Sequence, residues 1–199
     1  MGKIIAIACL DYERGIGKDG KLLFDMPLDK RFFRIMTDGH MVIMGKKTFD
    51  SMHQQPLNGR MNIVLTHDAT GYPKLNNLTL FNISPAAFAQ WMRNSISNDF
   101  ANKEENIFII GGGSVYEQLM PYCDYLYLTQ VNAICEADTF FPERYKTPET
   151  SFYPIYTVYD GNMWDRMSER FVSARVTIFS KDQEETLDRD FRLKLNACF

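Results

Sequence analysis

Side chains that usually hold disulfides or metals are scarce in this sequence. Cys9, Cys123, Cys135 and Cys198 show no paired spacing, and His40, His53 and His67 stand at no metal-ligand interval. A disulfide framework or a metal centre as organising principle is therefore excluded, and buried thiols are expected. No apolar run is long enough to span a membrane, and the first residues pass straight into a strand pattern without a signal-peptide layout, so a cytoplasmic chain with no membrane partner is expected. Positive charge does not dominate either: 22 Lys and Arg face 25 Asp and Glu, a formal net charge of -3. That balance argues against a nucleic-acid groove, and an anionic ligand would need a local basic patch. Internal repeats and low-complexity linkers are also lacking. What remains is 199 residues, 45% hydrophobic, enough for one compact domain with a full core.

Strand and helix patterns alternate along the chain, as in an α/β fold. Lys3 to Leu10 is a continuous apolar run, the mark of a strand buried on both faces. Asp11 to Gly20 is polar and glycine-rich and reads as a mobile loop. Met41–Met44, Asn62–Thr66, Leu78–Phe81, Ile107–Ile110 and Tyr125–Val131 read as strands. Ser84-Pro85 opens a helix through Trp91, and Val115–Met120 reads as another helix. Between them, Asn94 to Asn106 reads as a polar connection. Tyr153–Tyr159 and Phe171–Phe179, with Gly161-Asn162 as the turn between them, suggest an antiparallel pair at the sheet edge. In the charged tail, Leu187, Phe191, Leu195 and Cys198 fit a helical stripe, whereas Phe191, Leu193 and Leu195 alternate like a strand.

Three places carry candidate chemistry. Pro27 suits the first turn of a helix with Asp25 as its cap, and Leu28, Phe32, Phe33, Ile35 and Met36 follow at helical spacing. Asp29 falls at the edge of that apolar face, where a carboxylate must find donors or lose its charge. It reads either as a helix-end acid interacting with the dipole or as a ligand contact. The other two places are strand-to-helix joints, one at Gly45-Lys46-Lys47-Thr48 and one at Gly111-Gly112-Gly113-Ser114. Each offers backbone amides where glycine lets a phosphate approach, and together they suit a pyrophosphate held from two sides. Three glycines also suit a simple tight turn, and neither joint has a full dinucleotide fingerprint.

Taken in order, these pieces resemble the dihydrofolate reductase family. The resemblance is carried by Gly15-Ile16-Gly17, Pro27-Leu28-Asp29 with Phe32-Phe33, the run Val42 to Ser51, the run Leu57 to Thr66, Ile109 to Tyr116, Tyr127-Leu128-Thr129, and Asp138 to Pro142. It implies a single-domain α/β fold: a mostly parallel central sheet with an antiparallel C-terminal edge strand and helices on both faces. Residues 1–181 would form that domain, and 182–199 a C-terminal extension. The implied reaction is hydride transfer from NADPH to C6 of 7,8-dihydrofolate with protonation at N5, in a monomer that also binds antifolates.

The resemblance also assigns residues. Asp29 looks like the acid facing the pterin ring, with the Thr129 hydroxyl behind it, and Phe24 and Leu22 belong to the loop that closes over the reacting pair. Cys9, Leu28, Phe33, Met52, Leu57, Ile110 and Tyr116 resemble the walls of the substrate site, and Arg60 the bidentate partner of the substrate α-carboxylate. The NADPH site would be lined by Ala8, Ile16, Gly17, Gly45, Lys46, Lys47, Thr48, Leu65, Thr66, His67, Ile110, Gly112, Gly113, Ser114, Val115 and Tyr116. Departures from the family pattern are specific. Leu22-Leu23-Phe24 replaces the usual Leu-Pro-Trp, Asn58 stands where proline is common, and Lys46 where arginine is common, so a point charge replaces a bidentate fork. Two other functions fit the pattern less closely. One is a reductase of the same fold acting on a ribosylated pyrimidine, against which stand Phe32-Phe33 and Arg60. The other is a non-enzymatic module that kept the fold.

Overall fold

The computed structural model describes residues 2–68, 70–72, 74–82, 85–97, 106–143 and 151–199. Its strands are β1 (Ile4–Leu10), β2 (Gly15–Lys18), β3 (Lys21–Leu22), β4 (Met41–Gly45), β5 (Met61–Leu65), β6 (Leu78–Phe81), β7 (Ile107–Gly111), β8 (Tyr125–Val131), β9 (Thr139–Phe140), β10 (Tyr153–Asp165) and β11 (Arg170–Ser180). The helices are α1 (Pro27–Thr37), α2 (Lys46–Ser51), α3 (Pro85–Ser97), α4 (Gly113–Leu119) and α5 (Arg189–Asn196). Eight strands make one sheet in the order β10-β11-β8-β1-β7-β4-β5-β6, mostly parallel with an antiparallel edge, as the family resemblance implies. Three short strands, β3-β2-β9, make a second sheet. No described helix is long and apolar enough to cross a membrane. Tertiary contacts divide the chain into two compact units, Met1–Ala6 with Thr37–Asp124, and Ile7–Met36 with Tyr125–Phe199.

In the first unit, β1, β7, β4, β5 and β6 run parallel. Ile4, Ile5, Ala6, Val42, Ile43, Met44, Ile63, Val64, Ile107, Phe108 and Ile109 are all buried. A parallel strand covered on both faces has no solvated side, which is why these runs lack alternation. Helix α3 buries Phe88, Ala89 and Met92 at helical spacing. It continues to Ser97, six residues beyond Trp91, so Asn94–Ser97 belong to the helix and not to the polar connection. Ser84, its expected cap, lies outside the described residues, as does most of that connection.

In the second unit, β8, β11 and β10 are antiparallel, and β11 alternates Val172, Ala174 and Val176 inward with Phe171, Ser173 and Arg175 outward. Gly161-Asn162 is not the turn. Strand β10 runs through it to Asp165, pairing Gly161 with Ala174 and Asn162 with Ser173. Glycine lets the Tyr159 side chain lie close there: a Cβ would meet its hydroxyl at 2.9 Å and the ring would have to shift. The chain reverses after Asp165, whose carboxylate accepts from the Met167 and Ser168 amides and the Ser168 hydroxyl, and Glu169 takes φ 50°. The expected loop Asp11–Gly20 is likewise more ordered than its composition suggests. It contains β2 and a tight turn at Asp19 (φ 49°) and Gly20 (φ 72°) leading into β3. Asp11 is buried and accepts from the amides of Glu13, Gly15 and Cys135.

The tail forms a helix. Asp188 caps α5 by accepting from the Phe191 amide at 2.8 Å, and Leu195 and Cys198 are fully buried. All four thiols are free; Cys123 and Cys198 are buried as expected, while Cys9 and Cys135 are only half-buried.

Candidate active site

The candidate acid lies in the second unit, on α1. Helix α1 buries Phe32 and Met36 and leaves Lys30, Arg31 and Arg34 outside, and Asp29 falls at the boundary, half-buried. Asp25 is not the cap. It stands one residue too early, so the Met26 carbonyl accepts the first helical amide, from Lys30, and the Asp25 carboxylate pairs instead with the Lys30 ammonium at 2.7 Å. Burial pushes the Asp29 carboxyl pKa up, opposed by a hydrogen bond from Thr129 and by the Lys30 charge. Thr129 is itself buried, at the centre of β8. A carboxylate has about four acceptor positions, more than one hydroxyl fills.

Cys9 shares this environment. It follows Ala8 at a point where β1 is only half-buried, between the buried Ile7 and Leu10. Its thiol pKa is raised well up by burial and by the negative charges of Asp29, Asp165 and Asp11, which keeps it a neutral thiol and not a nucleophile. Phe24 is buried, Leu28 and Phe33 are half-buried, and Leu22 is 63% exposed in β3. Leu22 is thus not enclosed with the acid. Ile16 and Gly17, on β2, are half-buried.

The glycine joints lie in the first unit. Strand β7 ends at Gly111, whose φ of 117° and whose approach to the Tyr116 ring, 3.2 Å from a built Cβ, leave room for no side chain. The Gly111-Gly112 peptide is cis. A Cβ on Gly112 would meet Thr48 Oγ1 at 3.2 Å, and one on Gly45 would meet Val115 Cγ2 at 3.0 Å. The two joints are therefore neighbours, and glycine keeps open a cradle that a methyl group would fill. Gly113, Thr48 and Ile110 are half-buried around it, Val115 and Tyr116 are buried, and Lys46, Lys47 and Ser114 are exposed.

Farther along the same unit, Lys46 Nζ pairs with Asp50 at 3.0 Å and lies 5.5 Å from the Tyr72 ring centre. Hydrogen bonding to Tyr72 and then Asp50 raises its pKa, so the cation is both held and permanent. Leu65 is half-buried, the Thr66 hydroxyl donates to the Asp68 carbonyl at 2.7 Å, and the exposed His67 ring meets Asn82 Oδ1 at 3.2 Å. Arg60 donates from Nε to the Asn58 carbonyl and from Nη1 to Thr37 Oγ1, at 2.9 and 3.1 Å. Met52 and Leu57 are half-buried. Sequence reasoning passed over Asn62, fully buried, which clamps this loop. Its side chain accepts from the Leu57 amide and donates to the Leu57 and Arg60 carbonyls. An asparagine between Met61 and the apolar run Ile63-Val64-Leu65 was the available signal.

The dihydrofolate reductase family model matches residues 3–153. The chain belongs to that family. It is 35% identical over 137 residues to the dihydrofolate reductase of Bacillus subtilis (strain 168), covering 69% of this chain and 74% of that protein. The Haemophilus influenzae dihydrofolate reductase is 36% identical over 64% of this chain and 71% of its own length. The bifunctional dihydrofolate reductase-thymidylate synthase 1 of Arabidopsis thaliana is 33% identical, but only 30% of its length is covered. Among solved structures, a dihydrofolate reductase from Enterococcus faecalis complexed with NADP(H) and RAB-propyl is similar with a TM-score of 0.70 and 28% identity, over 91% of this chain and 98% of that one. For a dihydrofolate reductase, Asp29, Thr129 and Cys9 gather in one unit, and Gly45, Thr48, Gly112 and Val115 in the other.

Proposed function

We propose that this dihydrofolate reductase converts 7,8-dihydrofolate to 5,6,7,8-tetrahydrofolate using NADPH, with hydride delivered to C6 and a proton to N5. The observation that carries the reading is the Asp29 carboxylate, half-buried at the edge of an apolar helical face and hydrogen-bonded by the Thr129 hydroxyl. The pterin N3 and 2-amino groups are a matching pair of donors, and accepting from both would orient the ring and raise the basicity of N5. Asp29 acts as an electrostatic anchor while water delivers the proton. Thr129 fixes the carboxylate's direction. Cys9, Leu28, Phe33 and Phe24 would wall the ring, and Met52, Leu57, Ile110 and Tyr116 would complete the substrate site, with Arg60 on the substrate carboxylate.

The residues fit a dinucleotide, because the glycines at 45 and 112 hold open a space a side chain would close and Thr48, Lys46, Lys47 and Ser114 supply polar groups around it. NADPH, when bound, supplies the hydride. Gly113 and Val115 would present backbone to its phosphates, Lys46, Thr66 and His67 would read the 2′-phosphate, and Leu65, Ala8, Ile16, Gly17 and Tyr116 would complete its walls. We also read the chain as a cytoplasmic monomer that binds antifolates, with residues 1–181 as the catalytic domain and 182–199 as an extension of it. The test is titration with folate and NADPH followed by addition of dihydrofolate, watching the nicotinamide absorbance. Turnover supports the reading. Nucleotide binding with no turnover on dihydrofolate would overturn it, in favour of a related reductase substrate or a binding module.

A further inference from the structure

The family match ends at residue 153, and helix α5 with the residues after it lies beyond that match. The segment nevertheless closes on the helix that carries Asp29. The Phe199 ring lies 5.6 Å from the Phe32 ring, and Phe32 lies 6.3 Å from Tyr127 on β8. On its other side Phe199 stacks on Tyr159 of β10, with centroids 4.7 Å apart and planes at 23°. Arg31 Nη2 donates to the Ala197 carbonyl at 3.1 Å, the Tyr156 hydroxyl donates to Asn196 Oδ1 at 3.0 Å, and Cys198 is fully buried. The segment is therefore tied to α1 at two consecutive residues and to β10 at two tyrosines.

The register of these contacts reaches Asp29. Asp29 and Phe32 stand three apart on α1 and share a face; Thr129 and Tyr127 stand two apart on β8 and share a face. The pair Phe32–Tyr127 and the pair Asp29–Thr129 are thus successive contacts of one helix with one strand. Phe32 is 1% exposed, so a gap beside its ring would be filled by movement of α1 or remain as a void.

We propose that residues 196–199 form a clasp, with Phe199 as its positioning residue, that sets α1 against β8 and so holds Asp29 at the place where the pterin ring binds. The inference rests on the assignment of Asp29 to the substrate given above. A clasp acting on α1 tunes Asp29, and none of its contacts described above involves the glycine joints.

Phe199→Ala removes the ring, Phe199→Trp restores an aromatic surface, and Arg31→Met removes the donor to Ala197 while keeping Phe199. Michaelis constants for dihydrofolate and for NADPH are measured for each, at a temperature where melts show the variant folded. Phe199→Ala should raise the dihydrofolate constant about tenfold, because displacement of an anchoring group by an ångström is costly to a positioned reaction. The NADPH constant should stay within twofold, Phe199→Trp should recover most of the loss, and Arg31→Met should give a smaller rise of the same kind. Equal rises in both constants, or a lower melting temperature with both unchanged, would overturn the clasp and leave a merely stabilising tail. If Phe199→Ala does not fold, Phe199→Leu, which keeps bulk without the flat ring, carries the same comparison. A wild-type chain without turnover on dihydrofolate would instead refute the parent assignment, so the two failures are distinguishable.

Discussion

Asparagine at position 29 separates what the carboxylate does for a ligand from what it costs the fold. Burial is the largest influence on Asp29 and raises its pKa, so the folded protein holds the charged form at a disadvantage relative to the unfolded chain. The folded pKa lies above the unfolded value. The group's contribution to stability is therefore full below the ordinary carboxylate range and declines as pH rises through the raised value. Asp29→Asn, which has no charge to bury, should melt at or above wild type at pH 7, and its advantage should shrink as pH falls through the raised folded pKa and be gone below the ordinary carboxylate range. Binding should move the other way. In the proposed role a protonated diaminopyrimidine antifolate would pair its cation with this carboxylate, and removing one partner of a buried pair costs about 3–5 kcal/mol, or roughly two to four decades in Kd. Neutral-pH hydride transfer should fall on a similar scale and recover as acid protonates the substrate in solution. The assays are thermal melts across pH, antifolate titration and single-turnover hydride transfer for both forms. A variant that melts early at pH 7 yet keeps its neutral-pH activity when folded would refute the reasoning and make Asp29 a helix-end residue.

Phe24 is buried but has no indole N–H, so Phe24→Trp should tighten substrate or antifolate binding by about 1 kcal/mol, the net worth of one buried hydrogen bond; unchanged affinity in a titration would show a pocket rebuilt for phenylalanine. Lys46 is a fixed cation beside Asp50 and Tyr72, and Lys46→Ala should raise the Michaelis constant for NADPH more than that for NADH. Equal effects would show that it does not read the 2′-phosphate. Asn62→Ala leaves the Leu57 amide and two carbonyls without their clamp, which should cost about 1–3 kcal/mol of stability in urea unfolding and raise the dihydrofolate Michaelis constant through Leu57 and Arg60. An unaltered midpoint would mean that water replaces the side chain at no cost.

Much of the sheet was legible because burial on both faces leaves a plain record. Ile4–Leu10, Met41–Gly45 and Ile107–Gly111 are apolar runs with no solvated side, and composition alone marks them. The errors fall where structure depends on a partner distant in sequence. Gly161-Asn162 has the composition of a turn, yet its conformation is set by pairing with Ser173 and Ala174 and by the Tyr159 ring over the glycine. Asp19-Gly20 is the opposite case, a strong turn signal obscured by the polar residues around it. In the tail, helix and strand patterns overlapped on the same leucines, and Asp188, by capping α5, decided between them.

The candidate site follows the same division. Asp29 was legible because an acid at the edge of an apolar helical face conflicts with its surroundings, and that conflict is visible without a structure. The cradle glycines were legible as a choice between a phosphate site and a tight turn; the neighbouring positions of Gly45 and Gly112, each unable to take a Cβ without a tight contact, give the choice its geometry. Leu22 was assigned by its place in a pattern, and its exposure shows that position along the chain does not guarantee enclosure. Asn62 left one signal, a polar residue at the head of an apolar strand, whereas Asp11 and the clasp on Phe32 were beyond reach because each acts by fixing a segment it meets only after folding. A binding group announces itself by being out of place, whereas a positioning group fits its surroundings and is found only through its partners. Phe199 is the extreme case: as a residue of a charged tail it has no chemical signature, and its consequence for Asp29 exists only through Phe32 and the register of α1 on β8.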